Sequence, residues 1–264
     1  MKDNGERWTY AKGVETLAQR QHIARYRFAS GFVKGLRVLD VASGSGYGAD
    51  LLLKGGAKEV VGVDIDHQAV NYSNRTYRGN NLSFVVGDAQ ELKFKKDRFD
   101  AVVSFETIEH LPNHLKYIQE IKRVLVKNGL FIMSTPDRDT YRAYNLGVNN
   151  QYHVSEMTRN EIIEFLNAHF TDVRFYGQVP FNSRLWKFIA NLPFAAAIVG
   201  KLGISAIYSF YRKLTFLPGL SSYYTKMSEE MSDGICPLDK EDYVYILAVA
   251  KNPKSIESDK EGAK

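Results

Sequence analysis

Apolar residues recur along the chain in two periods, and their alternation divides it into strands and helices. Over residues 14–30, Leu17, Ala18, Ile23, Tyr26 and Phe28 stand among Gln, His and Arg at the spacing of an amphipathic helix. Short apolar runs follow. Arg37-to-Val41 (RVLDV), Glu59-to-Val63, Leu82-to-Val86, Phe99-to-Ser104 (FDAVVS) and Leu130-to-Ser134 predict five strands, the first of them buried. Between them, one helix starts near Tyr47 and is closed by Gly55-Gly56, and another, N-capped by Asp66, runs to about Arg78. A long helix is predicted from Pro112 to about Lys127, with Pro in its first turn and Asn128-Gly129 past its end. Residues 158–169 predict a further helix, because Thr158 and Glu161 have capping-box spacing. Val173-to-Tyr176 and Tyr243-to-Ala250 are the last expected strands.

Strands alternating with helices imply an α/β fold whose parallel sheet is covered on both faces. Ligands in such sheets sit at the carboxyl ends of the strands, near the point where strand order reverses. The loops that matter therefore follow Val41, Val63, Val86, Ser104 and Ser134.

The first of these loops is Asp40-Val-Ala42-Ser-Gly44-Ser-Gly46-Tyr-Gly48. Its glycines permit a tight turn and let a ligand approach backbone without meeting a Cβ, although a strand-to-helix turn alone would use them too. The spacing GxGxG departs from the dinucleotide fingerprint GxGxxG. Asp64 ends the second strand, where a carboxylate can accept both hydroxyls of a ribose. Asp88, with Ala89 after it, ends the third strand and could accept from an exocyclic adenine amine. The fourth strand runs into Phe105-Glu106-Thr-Ile-Glu109-His110, an aromatic, two acids and a histidine in one loop.

In this order RVLDVASGSGYG, VVGVDID, VVGDAQEL, FDAVVSFETIEHL and EIKRVLVKNGLFIMSTP resemble the class I S-adenosylmethionine-dependent methyltransferases over residues 22–178 and 243–250. HIARYRFA, SFETIEHL and NNQYHVSEMT look like a narrower subgroup associated with methylation of sugars and surface polysaccharide. The resemblance implies a doubly wound, seven-stranded, mostly parallel Rossmann-like sheet with its last strand antiparallel, and S-adenosylmethionine as cofactor. It implies that Asp40, Ala42, Gly44 and Gly46 cradle the methionine moiety, and that Asp64 holds the ribose with Ile65 against the adenine. Asp88 and Ala89 would meet the adenine edge. Phe105 and Glu106 would close the methionine side, and His22, Arg25 and Tyr26 would cover the cofactor carboxylate. Ser43 stands where most relatives have Cys or Gly.

A hydroxyl acceptor loses its proton during attack, and histidine is the natural base near neutral pH. His110 and His153 are the candidates by position, whereas His67, His114 and His169 are expected on helix or loop surfaces. His153 and Glu156 could begin a metal site, but two ligands are too few, and no metal is expected. A nicotinamide-dependent oxidoreductase shares the strand pattern and the acid after the second strand. GxGxG, and the lack of a Tyr-x-x-x-Lys pairing, disfavour it.

Composition alters this picture in one respect. The 264 residues are 44% hydrophobic and 25% charged, as in globular proteins, and Cys236 is alone, which suits a reducing cytoplasm. The 35 Lys and Arg exceed the 30 Asp and Glu, for a net charge of +5. Six cations and no acid lie between Phe181 and Ser228 (Arg184, Lys187, Lys201, Arg212, Lys213, Lys226), so the chain outside that segment carries −1. The excess is local, and no nucleic-acid partner is expected. The segment is also rich in aromatics, and its longest uncharged run, Phe188 to Gly200, is shorter than the ~20 apolar residues of a spanning helix. It reads as a lid, as a clamp for a phosphate-bearing acceptor, or as a peripheral contact with an anionic membrane.

The expected organisation is a helical N-terminal cap over 1–35 and a Rossmann-like domain over 36–180 and 237–252. A basic helical insert fills 181–236, between the last two strands, and a disordered tail occupies 253–264. The expected reaction is O-methylation of a sugar, nucleotide sugar or lipid-linked glycan, with a quinone or other lipid as the alternative acceptor.

Overall fold

The computed structural model describes residues 17–144, 150–178, 235–238 and 243–253. The elements in chain order are α1 (Leu17–Ser30), β1 (Arg37–Val41), α2 (Tyr47–Lys54), β2 (Glu59–Asp64), α3 (His67–Thr76), β3 (Leu82–Val86) and β4 (Phe99–Phe105). After a 3-10 turn (Ile108–His110) come α4 (His114–Val124), β5 (Leu125–Pro136), α5 (Arg138–Tyr144), α6 (Arg159–His169), β6 (Thr171–Gln178), β7 (Ile235–Pro237) and β8 (Tyr245–Lys251). The strands form one sheet in the order β3-β2-β1-β4-β5-β8-β6-β7. Strands β1 to β5 pair in parallel. β8 is antiparallel to both β5 and β6, as the resemblance implied for the last strand. β7, three residues long, adds an unexpected eighth strand antiparallel to β6. The order reverses between β1 and β4, so the loops that leave these two strands flank the switch point.

β1, β2 and β4 are buried along nearly their whole length because helices cover both faces. Alternate residues serve opposite layers. Leu39, Val41, Val61 and Val102 join Ile118 and Ile121 of α4 and Leu166 of α6. Val38, Val60, Ala101 and Val103 join Tyr26 of α1, Leu52 of α2 and Val70 of α3. Asp40 has the parity of Val38 and therefore lies on the α1 side, beneath Tyr26.

Both boundaries of the long helix differ from expectation. The long helix begins at His114, with Asn113 rather than Pro112 shaping its start: the Asn113 side chain accepts from the Lys116 amide at 2.9 Å. It ends at Val124 instead of about Lys127, and β5 begins at the next residue. Asn252, distant in sequence, supplies the reason. Its side-chain amide donates to the carbonyls of Lys122 and Leu125 at 3.0 and 3.2 Å, taking over acceptors that another helical turn would use. Asn128, at φ 59°, and Gly129 form a bulge there, so that Leu125 pairs with Phe99 while Leu130 pairs with Ala101. α5 was not expected. It begins beside Asp137, whose carboxylate accepts from the Thr140 hydroxyl and from the Arg159 amide. The capping box at Thr158 and Glu161 is present. Among the described residues no helix is long and apolar enough to cross a membrane. The 253–264 tail apart from Pro253, and the insert apart from Ile235 and Cys236, lie outside the described residues.

Candidate active site

The glycine loop joins β1 to α2 in a run of left-handed residues: Ala42 at φ 59°, Gly44 at 53° and Gly46 at 81°. A Cβ on Gly46 would lie 2.6 Å from the Ser73 hydroxyl and 2.8 Å from the Phe84 ring, so close packing fixes glycine there. A Cβ on Gly44 would meet nothing within 4 Å, which leaves the crest of the loop open. Asp64, at the end of β2, ties the two strand ends together. Its carboxylate accepts from the Gly44 amide at 2.8 Å and from the Asp66 amide at 2.9 Å. Ile65, next in the chain, is 65% exposed, an apolar side chain without a core reason for its position. Asp88 is half-buried and accepts from the Gln90 amide; Ala89 packs at the edge of the core.

Asp40 is fully buried and accepts from the Tyr26 hydroxyl at 3.0 Å. Burial pushes its carboxyl up to about 8; the Tyr26 hydrogen bond opposes this and the nearby Asp64 charge adds to it. Tyr26 stands edge-on to Phe105 at 5.0 Å, and His22 joins the group against Tyr26, Tyr47 and Phe105. Burial, helped by Arg25, lowers His22 to about 3, so its imidazole is neutral. Glu106 turns out of β4 at φ 51° and accepts from the Ser134 hydroxyl at 2.7 Å and from Arg25 at 3.0 Å. Arg25 is only 2% exposed. Its guanidinium also donates to Gln178 at 2.8 Å and lies 4.1 Å over the Tyr245 ring, which binds α1 to the ends of β6 and β8. Gln178 and Tyr245 were not anticipated, since only strand pairing brings them to this edge.

A second cluster lies where β4 and β5 meet the segment that precedes α6. The 3-10 turn buries Glu109 completely and leaves His110 partly accessible. The Glu109 carbonyl accepts from the amides of Val154 and Ser155, both at 3.0 Å, and so anchors that segment. His153 thereby meets His110 edge-to-face, with ring centroids 4.9 Å apart. His110 donates through Nδ1 to the Tyr152 carbonyl at 2.9 Å, which leaves the lone pair on Nε2. His153 bonds through Nδ1 to Glu156 at 2.6 Å, and Glu156 accepts from Arg142 at 3.0 Å. Glu109 accepts from the Thr135 hydroxyl at 3.0 Å through one oxygen, and its other oxygen has no hydrogen-bond partner. Burial raises the Glu109 carboxyl well above the usual range, and the Glu106 charge adds to the effect. Of the other histidines, His67 is exposed as expected. His114 and His169 are half-buried against Phe165 instead of lying on the surface, because the start of α4 and the end of α6 converge on that ring.

A mostly parallel sheet with this strand order, a glycine loop after β1 and an acid ending β2 defines the class I, Rossmann-like methyltransferase fold. Residues 39–133 match the family model described as Methyltransferase domain. The chain is 32% identical over 174 residues to a protein of Mycobacterium tuberculosis (strain ATCC 25618 / H37Rv) named "Probable S-adenosylmethionine-dependent methyltransferase". That likeness covers 66% of this chain and 62% of its relative, so the chain spans less than two thirds of the relative's length. A fatty-acid O-methyltransferase of Mycolicibacterium smegmatis (strain ATCC 700084 / mc(2)155) is 36% identical over 101 residues, 38% of this chain and 37% of that protein. Among solved structures, an S-adenosylmethionine dependent methyltransferase from Mesorhizobium loti superposes with a TM-score of 0.56 at 15% identity. It covers 89% of this chain and all of its own, which supports the fold alone. These likenesses lend nothing to the nicotinamide-dependent alternative, and they do not single out sugars as acceptors.

Proposed function

We propose that the protein transfers the methyl group of S-adenosylmethionine to a hydroxyl of a lipid-bearing acceptor, a lipid-linked glycan or a lipid itself. One observation carries the reading: an open glycine cradle and a pair of imidazoles occupy the carboxyl ends of adjacent strands, β1 and β4. The residues present fit the cofactor. Gly44 leaves room at the loop crest, the buried Ser43 hydroxyl lacks a partner, and Ile65 offers a bare apolar surface beside Asp64. When bound, S-adenosylmethionine supplies a methyl group already activated on a sulfonium cation, so the chain's task is orientation and acceptor activation. Ala42, Gly44 and Gly46, with Asp40 beneath them, receive the methionine end. Asp64 accepts from the ribose, Ile65 covers the adenine, and Asp88 with Ala89 meets its edge. Phe105 and Glu106 close the methionine side, and Tyr26 keeps Asp40 in place.

Activation of the acceptor falls to His153 and His110, whose Nδ1 atoms are engaged and whose Nε2 atoms remain to act. The fatty-acid acceptor of one relative supports an apolar substrate, and so do the exposed side chains of Tyr152 and Val154 on either side of His153. Calorimetry with the full chain tests the first step: binding of S-adenosylmethionine without binding of NAD is expected, and the reverse sinks the reading. Turnover with the cofactor saturating tests the second. His153→Ala and His110→Ala should each lower kcat by about 10²-fold or more while cofactor affinity is kept. Label transferred from S-adenosylmethionine should enter an extracted lipid fraction; label entering only soluble nucleotide sugars would overturn the acceptor assignment.

A further inference from the structure

The cluster at the ends of β4 and β5 has more order than a pair of bases needs. One donor atom from each of Glu109, His110 and His153 lies within 4.8 Å of those from the other two. In each of the three, one side-chain polar atom is already held. His110 Nδ1 is on the Tyr152 carbonyl, His153 Nδ1 on Glu156, and one Glu109 oxygen on Thr135. Ring nitrogens fixed by a carbonyl and by a carboxylate are the outer-layer arrangement that orients imidazoles toward a metal and selects their free nitrogen. The free Glu109 oxygen is buried without a partner, a costly state for a carboxyl that a bound cation relieves. Sequence spacing offered only His153 and Glu156 as ligands. The fold instead makes Glu109, His110 and His153 the trio and places Glu156 behind it.

We propose that Glu109, His110 and His153 form a binding site for one divalent transition-metal cation. Two imidazoles and one carboxylate suit Zn²⁺, Co²⁺ or Mn²⁺ better than Mg²⁺ or Ca²⁺, which prefer oxygen donors throughout. Three protein ligands leave positions open for a further molecule. On the methyl-transfer reading above, that molecule is the acceptor: with the cation bound the imidazoles are ligands instead of bases, and a hydroxyl held by the cation gives up its proton to bulk water more readily.

The test uses the full chain stripped with a chelator and titrated with Co²⁺ alone, read by calorimetry and by visible absorption. One equivalent should bind and give ligand-field bands. Glu109→Gln and His153→Ala should each abolish the bands or weaken binding by at least 10-fold. Glu156→Gln, which only loosens His153, should weaken binding by about 10- to 100-fold. His67→Ala, on the exposed start of α3, should bind like wild type. Should Glu109→Gln fail to fold, His110→Ala answers the same question. Binding of less than one equivalent, or affinity unchanged in His153→Ala and His110→Ala, overturns the site. S-adenosylmethionine affinity of the stripped chain is measured in parallel. Loss of cofactor binding with the cation retained strikes only the methyl-transfer reading; the opposite pattern strikes only this one.

Discussion

Single residues at the sheet edge carry unusual burdens, and Asp40 carries the heaviest. Its carboxyl is pushed from an ordinary 3.8 to about 8 in the fold, so the cofactor-free chain holds a proton there at neutral pH. The unfolded chain releases that proton first as pH rises. Asp40 therefore contributes stability that is fully present below its unfolded value and is lost as pH climbs through about 8. The difference in unfolding midpoint between wild type and Asp40→Asn should shift against wild type across that window. Cationic S-adenosylmethionine favours the carboxylate, so binding near pH 7 should release close to one proton. Calorimetry in buffers of different ionisation enthalpy should show this for wild type and lose it in Asp40→Asn; a buffer-independent enthalpy in wild type would contradict the assignment. Asp40, Gly44, Gly46 and Asp64 could be picked out from sequence because Asp40 lies within, Asp64 ends, and the two glycines closely follow a recognisable apolar run. The Glu109–His110–His153 grouping could not. His153 reaches its partners only because the Glu109 carbonyl captures two amides of a distant segment.

At the scale of elements, the strands β1, β2 and β4 were legible because burial on both faces makes them continuous apolar runs, bounded by turn residues. The break between α4 and β5 was not, since Asn252 enforces it from beyond β8. The same dependence on neighbours governs how α1 and α2 meet. A Cβ on Gly48 would sit 2.0 Å from the Tyr26 ring, so the two helices approach only across a glycine. Gly48→Ala must displace Tyr26 and its hydrogen bond to Asp40, at a cost of about 1–3 kcal/mol. Gly79→Ala is the control, because a Cβ there meets Leu53 and Leu82 at an ordinary 4.0 Å. Urea unfolding should separate the two variants by at least ~1 kcal/mol, and cofactor affinity should fall for Gly48→Ala alone. Equal stabilities would mean that α1 does not need this close approach.

For the whole molecule, the distribution of charge outweighs its sum. A net +5 spread evenly would suggest a polyanion partner, yet all of the excess lies in residues 181–228, and the other residues sum to −1. In sequence those cations follow β6, whose last residue, Gln178, grips Arg25 beside Glu106. A lipid-bearing acceptor would be met at a membrane surface, and basic residues among aromatics suit an anionic headgroup layer. The full chain should therefore sediment with vesicles containing phosphatidylglycerol at low salt and stay in solution with phosphatidylcholine alone. Replacing Arg212 and Lys213 with Gln removes two cations worth about 1 kcal/mol each near such a surface. Partitioning should then drop by roughly thirtyfold. Raising the salt should have the same effect on wild type, because the Debye length shrinks to about 3 Å at 1 M. Equal binding to neutral and anionic vesicles would assign the segment's aromatics, not its charge, to the contact. Failure to bind either would remove the membrane contact and leave the lid and the phosphate clamp as the readings of the segment.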